Sequence, residues 1–332
     1  MKRLVLIAFG LLLGLTQVHA EPPTCHGTDL LAKLQADDPV AYREIIAAAD
    51  AVPNGNAIFW KIERDGLEPS WLLGTAHVTD IRVTELSSAM QEALDGADTV
   101  ALELKELRNQ QEFMATAFRN ANLMVLPPGQ SLWDLIPDDQ EHLIRNNPNL
   151  PPGTENTLFG YQPWVVVGMV TIPPCEVARK KAGIVSLDMA IAARADRHHI
   201  RLEGLETVKE QLSVFANMPL DLQAKYLVSA ASVGAGAADY FETLISLYQQ
   251  RKVTALMPLT LKLTPMGEDG DRMMVFVEED LIRKRNRTMV DRAEKILSKG
   301  NAFIAVGALH LPGNEGLVEL IRRAGYKVTP VN

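Results

Sequence analysis

Two short apolar runs, each followed by a Gly-x-x-His turn and then by a helical pattern, organise this chain. The first run leads into Gly74-Thr-Ala-His77 and the second into Gly307-Ala-Leu-His310. After the first turn, apolar residues recur at helical spacing and a strand follows at residues 99–103. The second turn is followed by the same order of elements. Such strand, turn, helix and strand segments predict a parallel sheet with crossover helices.

Other segments complete the predicted α/β fold. Residues 57–63 and 70–73 flank Asp65-Gly66, a dipeptide typical of a β-hairpin turn. A third unit is predicted from a strand at residues 184–187, a helix and a further strand at 200–206. The prediction is therefore a mostly parallel central sheet built from repeated strand-GxxH-helix-strand units. It is completed by an N-terminal helical arm and a helical cap.

The first twenty residues have the pattern of a secretory signal peptide. Basic residues precede an apolar run from Leu4 to Leu15, and small residues precede a cleavage point after Ala20. That run is shorter than the roughly 20 residues that a transmembrane helix needs. We therefore predict a periplasmic or secreted protein with no transmembrane helix after cleavage. Residues 21–55 would form the arm and 56–332 a single domain, with the cap at roughly 207–275.

Charge and cysteine content narrow the class of partner. Without its signal peptide the chain has 31 basic and 41 acidic residues, a net charge of about −10. An acidic chain without a basic stripe argues against nucleic acid as a partner. Cys25 and Cys175 are the two cysteines of the sequence, and in an oxidising compartment we expect them to form a disulfide.

The predicted strand ends carry the residues that are candidates for chemistry. In a parallel sheet the carboxyl ends of the strands share one edge, where ligands bind. Two imidazoles and three carboxylates would bind a divalent metal and leave one carboxylate as a general base. Structural roles remain open, since a histidine also satisfies core hydrogen bonds and an aspartate before a helix is a favoured N-cap. The candidates are His77, Glu103, Asp188, Glu206 and His310.

A basic helix near the C-terminus adds two further polar candidates. Arg285 falls at helical spacing among apolar residues, and Asn286 stands beside it. An arginine that faces a core needs a carboxylate or a substrate oxygen. Arg285 would therefore orient Glu103 or Glu206 or polarise a scissile carbonyl, unless it reaches solvent along its own stem.

The motifs together resemble the TraB/GumN family, which is related to the Tiki proteins. The resemblance covers nearly all of residues 57–331. It is carried by Leu-Gly-Thr-Ala-His77, Ala-Asp-Thr-Val-Ala-Leu-Glu103, Leu187-Asp188, Gly204-Leu-Glu-Thr207, Arg285-Asn286 and Val306-Gly-Ala-Leu-His310. It implies an α/β core with a repeated half and, in the Tiki branch, metal-dependent proteolysis that requires the paired histidines and acidic residues. Related folds resemble haem-binding lipoproteins and erythromycin esterases.

The leading hypothesis is an exported metal-dependent hydrolase, a peptidase that cleaves peptide or protein substrates. Its divalent ion, Mn²⁺, Co²⁺ or Zn²⁺, would be bound by His77, Glu103, Asp188 and His310. Glu206, Arg285 and Asn286 would be the catalytic groups. Two alternatives stay open: a non-enzymatic protein that binds a peptide or haem, and a metal-independent, esterase-like hydrolase with His77 as its base.

Overall fold

The computed structural model describes residues 23–264 and 266–331. The signal peptide expected over residues 1–20 lies outside these ranges. Within them, no helix combines the length and the apolar composition that crossing a bilayer would require. The division into arm, single domain and cap stays a prediction.

A mixed sheet of six strands lies at the centre of the described part of the chain. The strands are β1 (Phe59–Glu63), β2 (Ser70–Thr75), β3 (Thr99–Leu102), β4 (Arg201–Gly204), β5 (Ala302–Gly307) and β6 (Lys327–Pro330). Their order across the sheet is β4-β3-β5-β2-β1-β6. Strands β4, β3, β5 and β2 are parallel, whereas β1 is antiparallel to both of its neighbours. The fold is therefore α/β with a mostly parallel sheet, as predicted.

Many helices surround the sheet. They are α1 (Leu30–Asp37), α2 (Pro39–Asp50), α3 (Ile81–Thr84), α4 (Ser88–Asp95), α5 (Gln110–Arg119), α6 (Glu141–Arg145), α7 (Pro163–Thr171), α8 (Pro174–Lys181), α9 (Leu187–Arg197), α10 (Val208–Ala216), α11 (Leu220–Val233), α12 (Ala237–Gln249), α13 (Leu256–Leu263), α14 (Asp269–Val275), α15 (Lys284–Leu297) and α16 (Leu317–Arg323). A π-helical segment, Phe276–Arg283, leads directly into α15.

Helices cover both faces of the sheet, which explains why its strands are apolar at successive positions. Leu73 packs on one face with residues of α4, α9 and α12. Its neighbour Leu72 packs on the opposite face with residues of α15 and α16. Successive side chains of a strand point to opposite faces of the sheet, so a sheet with helices on both faces needs apolar residues at successive positions. The two layers of helices hold the carboxyl ends of the parallel strands in place.

The predicted hairpin is confirmed, whereas one predicted strand is wrong. Strands β1 and β2 pair across the turn that contains Gly66, whose φ of +82° suits a glycine. Residues 184–186 form no strand, and Leu187 begins α9 instead. Gly183, at φ +84°, turns the chain back after α8, and the amide of Ile184 donates to the carbonyl of Arg179. The apolar run is thus used in a short connection between two helices.

Helix α8 fixes the segment that follows His77. The carboxylate of buried Glu176 accepts hydrogen bonds from the backbone amide of Thr79 (3.0 Å) and from its hydroxyl (2.6 Å). The predicted disulfide is present between Cys25 and Cys175, and it ties the same helix to the N-terminal segment. Strands alone therefore do not set the position of His77.

Asp80 caps α3 in this segment and binds two arginines. Its carboxylate accepts hydrogen bonds from Nε of Arg82 (2.9 Å) and from Nη1 of Arg179 (3.1 Å). Burial alone would raise the pKa of Asp80, but Arg82 and then Arg179 outweigh it and lower the pKa to about 2. A carboxyl whose pKa is lower in the folded state stabilises the fold above its unfolded pKa. That contribution is lost as pH falls through the folded value.

We expect Asp80→Asn to lower the free energy of unfolding at neutral pH by roughly 1–2 kcal/mol, after allowance for solvent screening. Asparagine also caps helices, so the change mainly removes the charge. The difference from the unsubstituted protein should shrink as pH falls towards about 2. Urea unfolding across this range measures it, with exposed Asp138→Asn as the control. A difference that is constant with pH would contradict the charge explanation.

Candidate functional site

The carboxyl ends of the parallel strands bring four of the predicted residues to one edge of the sheet. His77 follows the end of β2 by two positions, and Glu103 comes directly after β3. Glu206 follows the end of β4 by two positions, and His310 follows the end of β5 by three. Asp188 is in the first turn of α9 and is not at a strand end, yet it reaches the same place. Residues more than 230 positions apart thus share one site.

The glycines of the two Gly-x-x-His turns are required for close packing. Neither of these glycines has a positive φ, so backbone conformation is not the reason for glycine here. A Cβ on Gly74 would lie 2.9 Å from Cα of Ala308, which is too close. The hydroxyl of Tyr248 also donates to the carbonyl of Gly74 at 2.8 Å. Glycine therefore lets the first turn pack directly against the second.

Asp188 orients the imidazole of His77. Its Oδ2 lies 2.8 Å from Nδ1 of His77, and its Oδ1 accepts a hydrogen bond from the hydroxyl of Thr75 at 2.6 Å. Because a carboxylate is an acceptor, Nδ1 of His77 carries the proton. The other ring nitrogen, Nε2, faces Gly307. The aspartate is 3% exposed, and both of its oxygens are engaged.

Asn286 performs the same task for His310. The amide nitrogen of Asn286 donates to the backbone carbonyls of His310 (3.2 Å) and Glu315 (2.8 Å). Its Oδ1 is therefore the atom that lies 2.7 Å from Nδ1 of His310, and that nitrogen must be the donor. In a neutral ring this leaves the lone pair on Nε2, which lies 3.9 Å from Oε1 of Glu103.

Arg285 joins the two buried glutamates. Its Nη2 donates to Oε2 of Glu103 at 2.9 Å and to Oε2 of Glu206 at 2.6 Å, and its Nε donates to Oε1 of Glu206 at 2.9 Å. Nε2 of Gln211 donates to both carboxylates, at 2.9 and 3.1 Å. The backbone amide of Gly307 binds Oε1 of Glu103 at 2.6 Å. Two carboxylates can thus be buried together because a cation and two neutral donors compensate them.

The protonation of the site follows from these contacts. Asp188 raises the pKa of His77, and solvent over 62% of that side chain screens the effect. Burial, together with the nearby Arg285, lowers the pKa of His310 to about 3, so its ring is neutral. Burial alone would raise the pKa of Glu103, but His77, Arg285 and the hydrogen bond from the amide of Gly307 outweigh it and hold the pKa well below its usual range. Glu103 is therefore an anion at neutral pH.

Three side chains of the site face one space beside Gly307. A methyl group built there would lie 3.1 Å from Oε1 of Glu103, 3.7 Å from Nε2 of His77 and 3.6 Å from Cδ2 of His310. Across residues 23–264 and 266–331, no group of three or more His, Cys, Asp or Glu side chains is placed to hold a metal ion as it stands. Imidazole nitrogen and carboxylate oxygen nevertheless suit Zn²⁺, Mn²⁺ and Co²⁺. The chemistry of these donors therefore fits a divalent ion.

Three contributors to this site were assigned no role from the sequence. Gln211 bridges the glutamates from α10, Thr75 holds Asp188, and the amide of Gly307 holds Glu103. A glutamine in an amphipathic helix and a threonine in a strand have ordinary structural explanations. Only the packing of α10 and α9 against the strand ends reveals their contacts.

The sequence comparisons now define the family. A profile of the TraB/PrgY/gumN family matches residues 58–330 of the chain. The chain belongs to this family. The matched region of this TraB/PrgY/gumN protein includes both Gly-x-x-His turns and every residue of the candidate site. No solved structure matches the chain.

Curated relatives of this TraB/PrgY/gumN protein are metalloproteases by name. Metalloprotease TIKI1 of Danio rerio is 27% identical over 319 residues, which cover 82% of this chain and 63% of the relative. Metalloprotease TIKI2 of Xenopus tropicalis is 25% identical over 319 residues, covering 82% and 59%. Metalloprotease TIKI1 of Homo sapiens is 25% identical over 324 residues, covering 82% and 61%. The chain thus spans about three fifths of the length of these relatives.

Proposed function

We propose that this protein is an exported metal-dependent peptidase that acts on peptide or protein substrates. The arrangement of the two histidines carries the proposal. Each Nδ1 is bonded to an oxygen acceptor, Asp188 for His77 and Asn286 for His310, which leaves Nε2 of each ring for a ligand. Metal-binding histidines in proteins are oriented in this way. The named metalloproteases among the relatives support the same chemistry.

We assign His77, His310 and Glu103 as the residues that would hold the ion. Once bound, a divalent metal supplies a Lewis acid and a water molecule with a lowered pKa. The strongly lowered pKa of Glu103 makes it a poor base and a good anionic ligand. Zn²⁺, Mn²⁺ and Co²⁺ remain the candidates, since imidazole and carboxylate suit each of them.

The other candidates take positioning roles in this proposal. Asp188 was expected as a metal ligand, but the engagement of both its oxygens supports a role in orienting His77. Asn286 was expected as a catalytic group, and its contacts support the orientation of His310. Glu206 was expected as a catalytic group, and its bonds to Arg285 support its holding that arginine against Glu103.

Arg285 remains the proposed catalytic cation. Its side chain is 12% exposed, so its charge acts close to the site with little screening by water. We expect it to stabilise the negative charge that develops on a substrate carbonyl, a contribution of about 3 kcal/mol by the usual effect of such donors. We also retain, as a proposal, that the two strand-GxxH-helix-strand segments are repeats of one unit.

Export is part of the same proposal. The disulfide between Cys25 and Cys175 supports it, because such bonds persist in oxidising compartments. The predicted signal peptide agrees with this location. Protein substrates outside the cytoplasm would then be within reach of the site.

The test is the metal content and the peptidase activity of the purified mature protein. We expect one divalent ion for each chain, loss of peptide cleavage after exhaustive chelation, and its return with Mn²⁺, Co²⁺ or Zn²⁺. Inductively coupled plasma mass spectrometry measures the ion, and a fluorogenic peptide library measures cleavage. Full activity after chelation would instead support the metal-independent hydrolase. A protein that binds no added metal and cleaves no peptide would refute the proposal.

A further inference from the structure

A cavity of about 500 Å³ opens beside the candidate site. Its volume is within the usual range for ligand pockets. One wall carries the polar groups of the site, His77, Glu103, Asp188 and Gln211. The remaining walls are largely apolar and come from the β3 exit, from α5 and from the connection between α8 and α9. Their large apolar side chains are Leu104, Leu107, Phe113, Met114, Ile184, Val185 and Met189.

The charges that line this cavity are already compensated on the polar wall. Asp188 is paired with His77, and Glu103 is paired with Arg285. Among the described lining residues, Lys180 is the other charged group, and its Nζ lies 3.6 Å from Oε1 of Glu176. A charged side chain that entered the apolar part would lose water without gaining a new partner, which is unfavourable. An apolar side chain has no such cost.

Apolar side chains at this cavity are left open to solvent. Met114 is 59% exposed and Val185 is 38% exposed, although both line the cavity. Phe118, which is 80% exposed, follows Met114 by four positions in α5 and therefore extends the same face of the helix by one turn. Exposed apolar surface that is continuous with a polar site is typical of a surface that a ligand covers.

We propose that this cavity selects substrates with a bulky apolar side chain, of the size of leucine, methionine or phenylalanine, next to the bond presented to the site. Met114 and Val185 are the specificity-determining residues, and Phe118 contacts a more distant part of the bound peptide. The proposal rests on the proposed peptidase function. It adds a substrate class, which is an extended peptide segment that is apolar at this position.

The cleavage test uses matched peptides that differ at a single position. Bonds cut in a mixed peptide library identify the position, and a series with Leu, Phe, Glu or Lys there is then compared. We expect kcat/KM for the Leu and Phe peptides to exceed that for the Glu peptide by at least about 10-fold, as apolar pockets typically discriminate. Met114→Lys and Val185→Lys should reduce the preference for Leu over Glu by about 10-fold or more. Val40→Lys, an equally exposed site on α2, is the matched control and should leave the preference unchanged.

A binding measurement separates this inference from the proposed function. Fluorescence anisotropy of labelled Leu and Glu peptides is measured on the chelated protein, which requires no catalysis. We expect the Leu peptide to bind at least about 10-fold more tightly, and Met114→Lys to remove this difference. Selective binding by a protein whose metal-loaded form cleaves no peptide would refute the peptidase and keep the apolar pocket. Equal binding of both peptides, or equal selectivity in Met114→Lys and the unsubstituted protein, would overturn the pocket proposal even if peptides are cleaved.

Discussion

Replacing His77 by alanine is expected to abolish peptide cleavage and to lower metal affinity by more than about 100-fold. Loss of an outer partner of a ligating histidine already costs about 10- to 100-fold, and loss of the ligand itself should cost more. The side chain of His77 is 62% exposed, so its removal leaves no buried cavity and the fold should persist. Competition with a chelating indicator measures the affinity, and circular dichroism checks the fold.

His198→Ala is the matched control for this experiment. His198 is also partly exposed, and it directly follows the last residue of α9, the helix whose first turn contains Asp188. We expect the control to keep both metal affinity and cleavage. His310→Ala should reproduce the metal loss of His77→Ala, since the two rings face the same space beside Gly307. Full metal binding in either site variant would show that the two turns do not share one ion.

Replacing Arg285 by methionine is expected to lower the free energy of unfolding by about 3–5 kcal/mol. Glu103 is 7% exposed and Glu206 is 5% exposed, and this arginine is the cation that contacts both. Removing one partner of a buried ion pair leaves an uncompensated buried charge, which is the reason for the large effect. Methionine keeps much of the volume, so cavity formation contributes little. Urea unfolding at neutral pH measures the loss.

The control for the Arg285→Met variant is a substitution on the same helix. Arg287 is two residues further along α15, and its side chain is 57% exposed, with longer contacts to carboxylates. Arg287→Met should change the stability little, because exposed ion pairs contribute about 0–1 kcal/mol. The double variant Arg285→Met with Glu206→Gln should recover part of the loss, because one buried charge is gone. Equal destabilisation by the two single arginine variants would rule out the buried-charge explanation.

The proposed peptidase and the apolar pocket place different demands on the same edge of the sheet. The two histidines and Glu103 require polar neighbours that hold each donor in one orientation. The adjacent cavity requires that few uncompensated charges enter it. Arg285 and Asp188 satisfy both conditions, since Arg285 pairs with Glu103 and Asp188 is hydrogen-bonded to His77. The charge distribution therefore leaves an apolar surface directly beside a polar one.

Local patterns in the sequence determined a large part of this result. Apolar runs and the Asp65-Gly66 turn correctly predicted the hairpin and the strands at the two Gly-x-x-His turns. The two cysteines, together with the expected export to an oxidising compartment, predicted the disulfide. The motif histidines and carboxylates indicated the family that the comparison then showed. Each of these features depends on neighbours in the chain or on residue type alone.

Tertiary structure decided the order of the strands and the partners of the polar groups. Strand β5 lies between β3 and β2 in the sheet, and residues 184–186 connect two helices. Both facts depend on which strand edges remain free for hydrogen bonding once the helices have packed. The contact of Asp188 with His77 spans 111 residues, and the contact of Gln211 with Glu103 spans 108. No periodicity in the sequence encodes such a contact. Hydrogen bonds of this kind exist only once helices and strands are packed, so the sequence indicated the donors and the fold determined which atoms they bind.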